Sequence, residues 1–265
     1  MALVWWSRRR TRRALRHPRE NTLLAVCIAV TLLTLLGVVN RAQTGEAGQS
    51  VFLLGLPLLV LFTRGQLYAR QRANGVRITP DQFPEAHAMV RQAAHHFGLP
   101  RVPDAYVVLG NGVINAFASG HGFRRYVAIH SDLFEVGGRL ADPEALRFVI
   151  GHEVGHIAAG HASYWRQVGI SVATLIPGVG SSLSRAQEYT ADNHAHAYCP
   201  HGMQGLRILT CGKYLYPQVD FAAVAARATT ERDFFVWLVN LLSSHPVNTW
   251  RFAALADRDR PGRIL

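Results

Sequence analysis

His152 and His156 stand four residues apart in a segment where Leu146, Val149, Ile150, Val154 and Ile157 supply an apolar face. That spacing places both imidazoles on one side of a helix, one turn apart, where two ring nitrogens can reach a single Zn²⁺ at about 2.1 Å. Glu153 lies about 100° around the axis from His152, so it is placed to reach a water beside the ion rather than the ion itself. Zinc lowers the pKa of a bound water to about 7, and a carboxylate can take its proton as the water attacks a carbonyl. This is the chemistry of His-Glu-x-x-His. A surface helix that merely carries histidines fits less well, because two imidazoles and a carboxylate among buried apolar residues need partners.

A catalytic zinc needs a third protein ligand and an open position. Downstream candidates are Glu188, Asp192, His194 and His196. Glu188 and Asp192 are four apart on a second helical segment, so one can ligate while the other supports. The natural assignment puts Glu188 on zinc, with Asp192 accepting a hydrogen bond from the free nitrogen of a ligand histidine, His152. His194 and His196 remain alternative ligands. His161 is nine residues beyond His152 and reads as a helix-end residue, where a cation suits the dipole.

With these residues in view, the chain resembles the gluzincin membrane peptidases typified by the HtpX heat-shock protease and the CAAX prenyl protease. The likeness covers roughly residues 78–255 and four motifs in family order. They are His-Glu-x-x-His followed by Glu-x-x-x-Asp, the segment Asn115, Ala116, Phe117 and Ala118, the pair Gly160-His161, and His245-Pro246 followed by Arg251. The resemblance implies a zinc endopeptidase acting on polypeptides, with a role in membrane or cytosolic protein quality control. It implies that His245 and Arg251 stabilise the oxyanion formed at the peptide carbonyl. It also implies that Asn115, Ala116, Phe117 and Ala118 line the cleft and bind extended substrate by strand addition. HtpX-like proteins commonly carry two more spans between the zinc helix and the glutamate helix. Here residues 168–183, broken by Pro177 and glycines, are too short for that and read as a mobile or membrane-dipping loop.

The elements that must position these residues are partly visible. A short strand is expected over residues 75–79 and a helix over 80–97, stopped by Gly98. Residues 105–109 read as a strand, and a hairpin is expected from 115–119 and 125–130 around Gly120-His121-Gly122. Asp142-Pro143 offers an N-cap and a first-turn proline for the zinc helix, expected to run to about residue 161. Ser184-x-x-Gln187 fits a capping box, which predicts that the second helix starts there. Residues 234–242 are too short to cross a bilayer and read as a buried helix. The expected fold class is α+β: a mostly helical zincin-type peptidase domain with a small β-sheet.

Charge and hydropathy add a membrane. The formal net charge is +11, and Arg8, Arg9, Arg10, Arg12, Arg13, Arg16 and Arg19 crowd the first twenty residues. The arginines abut an apolar run over residues 23–39, and a second uncharged stretch covers 47–63. Spans over 22–40 and 47–63 form a hairpin within residues 21–72, after a basic cytoplasmic segment 1–20 and before a peptidase domain over 73–265. Arg64, Arg70 and Arg72 follow the second run, so positive charge flanks both ends. That predicts a multi-pass protein of the cell membrane with its catalytic domain in the cytoplasm. Two alternatives stand beside this: a twin-arginine export signal at Arg12-Arg13, and a second run that packs on the domain. Cys199 and Cys211 read as free thiols in that compartment. A nucleic-acid role is not expected, since the arginines cluster beside apolar runs rather than along a recognition element. A zinc-binding membrane scaffold without proteolysis is the other functional reading, but it has no use for Glu153 or His245.

Overall fold

The computed structural model describes residues 14–45, 48–134 and 142–265. Arg8 to Arg13 and the twin-arginine match lie wholly or mostly outside them. The helices are α1 Glu20–Gln43, α2 Leu56–Asn74, α3 Pro84–His96, α4 Pro143–Ala158, α5 Tyr164–Ile170, α6 Val179–Tyr198, α7 Gln204–Leu215, α8 Phe221–Ala226, α9 Phe234–Leu242 and α10 Asn248–Ala256. Four strands, β1 Val76–Arg77, β2 Asp104–Val108, β3 Ala116–His121 and β4 Arg124–His130, form one sheet in the order β1-β2-β4-β3. The outer pairs are antiparallel, while β2 and β4 run parallel. The molecule is therefore mostly helical with a small mixed sheet.

β4 lies between β2 and β3, and its residues Tyr126, Val127, Ala128 and Ile129 are fully buried. A strand covered on both faces reads as a continuous apolar run rather than an alternation. On one face, Val127 and Ile129 pack with Met89, Val90 and Ala93 of α3 and with Leu146, Val149 and Ile150 of α4. On the other, Tyr126 stacks on Tyr68 of α2, whose hydroxyl donates to Asp104 at 2.7 Å. β3 is left as the edge strand beside α4.

Local chemistry sets the ends of the helices that matter. Asp142 caps α4 by accepting from the amides of Glu144 and Ala145 at 3.1 and 3.0 Å, with Pro143 in the first turn. α3 begins at Pro84, not at residue 80. A proline disfavours the helical basin for the residue before it, and Phe83 sits instead in the left-handed region, its ring against Phe134. α6 begins at Val179, so Ser184 lies inside the helix rather than capping it. The start is set by Pro177-Gly178, where Gly178 takes a φ of 82° that turns the chain into the helix.

Residues 168–183 are not a loop. They hold the end of α5, a 3₁₀ turn Ala173–Leu175 and the start of α6, and Ile170, Ala173 and Leu183 pack against Cys27 of α1. α9 is helical as expected but not buried, since Phe234, Phe235, Val239 and Leu242 are all exposed. Cys27, Cys199 and Cys211 are free.

Among the described residues, two helices are long and apolar enough to cross a membrane, Glu20–Gln43 and the stretch Phe52–Asn74. At 24 residues, α1 is about 36 Å long, against a hydrocarbon core of about 30 Å. Residues 14–20 are not a separate tail. His17 donates its amide to Thr190 at 2.9 Å, and Asn193 donates to the carbonyl of Leu15.

α4 and α6 cross in close contact at Gly155, where an added Cβ would lie 2.7 Å from the Cβ of His194. Gly155→Ala is therefore expected to overpack this crossing and destabilise the domain by about 1–3 kcal/mol. A denaturant titration of the metal-free chain measures it, and an unchanged midpoint would mean that the helices are not in this contact.

Candidate metal centre

The buried crossing of α4 and α6 brings His152, His156 and Glu188 together, with one ligand atom of each within 4.8 Å of the others. Glu188 Oε2 stands 3.4 Å from His152 Nε2, Glu188 Oε1 stands 3.4 Å from His156 Nε2, and the two Nε2 atoms are 3.1 Å apart. Ligand atoms held at 2.0–2.1 Å around a tetrahedral ion stand about 3.3–3.4 Å from one another. The two separations from Glu188, each to a different oxygen, match that figure, and the 3.1 Å between the rings is slightly shorter.

The tautomers follow from the neighbours. A carboxylate only accepts, so His152 Nδ1–H donates to Asp192 Oδ1 at 2.9 Å and leaves Nε2 with its lone pair facing Glu188. His156 reaches the same state through a relay. Glu20 Oε1 accepts from His161 Nε2–H at 3.2 Å, which leaves His161 Nδ1 to accept from His156 Nδ1–H at 2.7 Å. His156 Nε2 is then bare as well. Two lone pairs facing each other at 3.1 Å are not a hydrogen bond. They call for a cation between them.

Each supporting acid is itself held. Arg251 donates to Asp192 through Nε at 2.9 Å and a terminal nitrogen at 2.7 Å, a two-pronged grip on a fully buried carboxylate. Burial would push Asp192 up, but the charge of Arg251 and the bond from His152 outweigh it and hold Asp192 at about 2. Glu20 is completely buried and is met by Arg16, by Arg166 at 2.8 Å and by the hydroxyl of Thr190. Arg16 also donates to the carbonyl of Ala159 at the end of α4, where a cation suits the helix dipole.

The field inside the site favours one added positive charge. Burial alone would raise Glu188, yet protons that His152 and His156 would take up at Nε2 with no cation bound would donate to it and hold it well below the carboxylate range. Burial likewise opposes a charged His152, but Asp192 and Glu188 override it and raise the ring to about 10, so that without a metal ion a proton would take the cation's place at Nε2. Glu188 Oε2 has no hydrogen-bond partner among the described residues although it is buried. An orphaned carboxylate oxygen beside two bare imidazole nitrogens is a donor set suited to zinc.

The other residues singled out from the sequence divide. Glu153 is buried on α4, and its carboxyl is raised by that burial while His152, His156 and His245 pull it down. His245 stands at the open rim, with Nε2 3.6 Å from Glu188 Oε2 and most of its side chain exposed. Arg251 is not at the rim: its donors go to Asp192, and its nearest approach to Glu188 is 3.8 Å. Ala116, Phe117 and Ala118 lie on edge strand β3 beside α4, and Asn115 precedes them, its side chain accepting from the amide of Ala116. His194 points away from the ligands and bonds the carbonyl of Thr190, and His196 is absent from the cluster.

His161 corrects an expectation. It is not a helix-end cation but a buried ring held neutral by desolvation, at about 3, in contact with His156. Glu20 and Arg166 belong to none of the motifs in the sequence. The one available signal for Glu20 was an acid standing among arginines at the head of an apolar run.

Comparison with known proteins agrees with this geometry. The chain is 24% identical over 169 residues to "Protease HtpX homolog" of Persephonella marina (strain DSM 14350 / EX-H1). That match covers 63% of this chain and 54% of the relative, so the chain spans about half the relative's length. No solved structure matches the chain. The family model described as Peptidase family M48 matches residues 80–168 and 163–259, which between them hold both ligand helices and the rim around His245. The chain belongs to peptidase family M48.

Proposed function

We propose that this M48 peptidase is a membrane-anchored zinc endopeptidase that cleaves membrane or cytosolic polypeptides near the bilayer, in protein quality control. The observation that carries the reading is the convergence of two bare imidazole nitrogens and an orphaned carboxylate oxygen beside Glu153. Zinc held by His152, His156 and Glu188 would polarise the scissile carbonyl and lower the pKa of water to about 7.

The chain's own residues do the rest. Glu153 takes a proton from the attacking water as its oxygen adds to the carbonyl carbon. It then delivers that proton to the amide nitrogen as the C–N bond breaks, giving a free acid and an amine. His245, at the open rim, donates towards the oxyanion, and a donor so placed contributes ~10²–10³ in rate. Arg251 works one step back: by holding Asp192 it fixes the ring of His152. The edge of β3, with Asn115, Ala116, Phe117 and Ala118, offers main-chain groups to an extended substrate.

Exposed apolar helices α1 and α2 support the membrane anchor, and the arginines at both ends of the hairpin support a domain on the cytoplasmic side. The name of the Persephonella marina relative, a protease, supports the same activity here.

Two outcomes check this reading. Glu153→Gln is expected to retain zinc and lose cleavage of casein, and undiminished cleavage by the pure variant would end the proposed mechanism. His161→Leu breaks the relay to His156 while leaving the pairing of Glu20 with Arg16 and Arg166 in place. It is expected to weaken zinc binding by about 10–100-fold in a chelator competition, whereas His161→Gln, which keeps one acceptor and one donor, recovers most of the loss.

A further inference from the structure

α9 carries an apolar face that no part of the described chain covers. Its sequence, Phe-Phe-Val-Trp-Leu-Val-Asn-Leu-Leu, holds no charge. Phe235, Val239 and Leu242 follow the i, i+4, i+7 spacing of one helix face and are 73%, 57% and 60% exposed. The single amide points the other way: Asn240 is fully buried, donating to the carbonyl of Ile264 and accepting from the amide of Val247. A helix whose polar side chain faces protein and whose apolar side chains face outward is the reverse of a water-exposed surface helix.

The mounting of α9 gives its height. Arg185, completely buried, donates to the carbonyls of Asn240, Leu241 and Ser243 and so clamps the C-terminal end. Ser181 donates to the carbonyl of Leu241 at 2.7 Å, and Leu241 lies against Gly178. This stretch of chain packs directly on α1, where Val179 meets Cys27 and the amide of Ala173 meets the hydroxyl of Thr31. Cys27 is four residues and Thr31 eight residues beyond Leu23, where the apolar run of α1 begins. At 1.5 Å per residue those levels are about 6 and 12 Å into that run. Helices that lie in a membrane interface sink about 5–10 Å. Leu175 and Ile176, between the two contacts, are exposed as well and continue the apolar surface from α1 towards α9.

We propose that α9, together with Leu175 and Ile176, is a monotopic membrane element. It sinks into the leaflet next to the catalytic domain without crossing it, and its partner is lipid hydrocarbon rather than a second protein. The inference rests on the reading of α1 as a span. Its consequence lies at the site, because α9 ends only two residues before Ser244-His245. Lipid would then hold the rim histidine at a fixed height over the bilayer.

Spin labels test this in the full chain, reconstituted in lipid nanodiscs with the three native cysteines changed to alanine. Labels go at Phe235→Cys, at Leu33→Cys on the exposed face of α1, and at Arg91→Cys on α3 as an aqueous reference. Oxygen partitions into lipid and a charged nickel chelate into water. The inference expects Phe235→Cys to follow Leu33→Cys, with high oxygen and low nickel access, and opposite to Arg91→Cys. If position 33 is lipid-exposed and position 235 is open to nickel, the inference is overturned and the span reading stands. Loss of access to both agents at 235 shows a protein contact and also overturns it. Nickel access at both 33 and 235 removes the span reading and the inference together. Should the cysteine-free chain fail to fold, the unaltered protein is photolabelled by a lipid with a diazirine in its acyl chain. Label in the peptide containing residues 234–242 is expected, and label confined to α1 and α2 would contradict the proposal.

Discussion

Two imidazole nitrogens and a carboxylate oxygen meet at the crossing of α4 and α6, in a space largely closed to water, with no hydrogen atom left to share among them. Desolvation makes that convergence unstable unless a cation completes it. Each imidazole is turned into this state from behind. His152 is turned by Asp192, and His156 by Glu20 through His161. The acids in turn are gripped by Arg251 on one side and by Arg16 and Arg166 on the other. The site is thus two parallel chains of hydrogen bonds that begin at arginines and end at bare nitrogens.

The second chain changes how the N-terminal segment is understood. Glu20 is the first residue of α1, so the long apolar helix proposed as the anchor also supplies the acid that aims a candidate metal ligand. Residues 14–20 strap across α6 before α1 departs, through His17 and Thr190 and through Leu15 and Asn193. Movement of α1 relative to the domain would therefore be felt at His156 through two hydrogen bonds.

What the sequence made legible was what local spacing decides. The i, i+4 histidines and the Glu188–Asp192 pair each lie on one helix, so their relative placement follows from helix geometry alone. The Asp142-Pro143 start of α4 and the β3–β4 hairpin are equally local. Contacts between distant parts of the chain were not legible. His161 and Glu20 are separated by 141 positions, and nothing in the spacing of either pointed to the other. The family resemblance implies a direct catalytic part for Arg251, whereas its partner, Asp192, is fixed only by the packing of α10 on α6. The apolar run of α9 failed for another reason: periodicity says that a face avoids water, but not whether protein or lipid receives it.

Zinc K-edge X-ray absorption on the purified chain reads the ligand set without any variant. The structure predicts one zinc per chain, with nitrogen and oxygen neighbours at about 2.0–2.2 Å, imidazole scattering from two rings and no sulfur. A chain that carries no zinc after growth in its presence, or a sulfur shell near 2.3 Å, would contradict it.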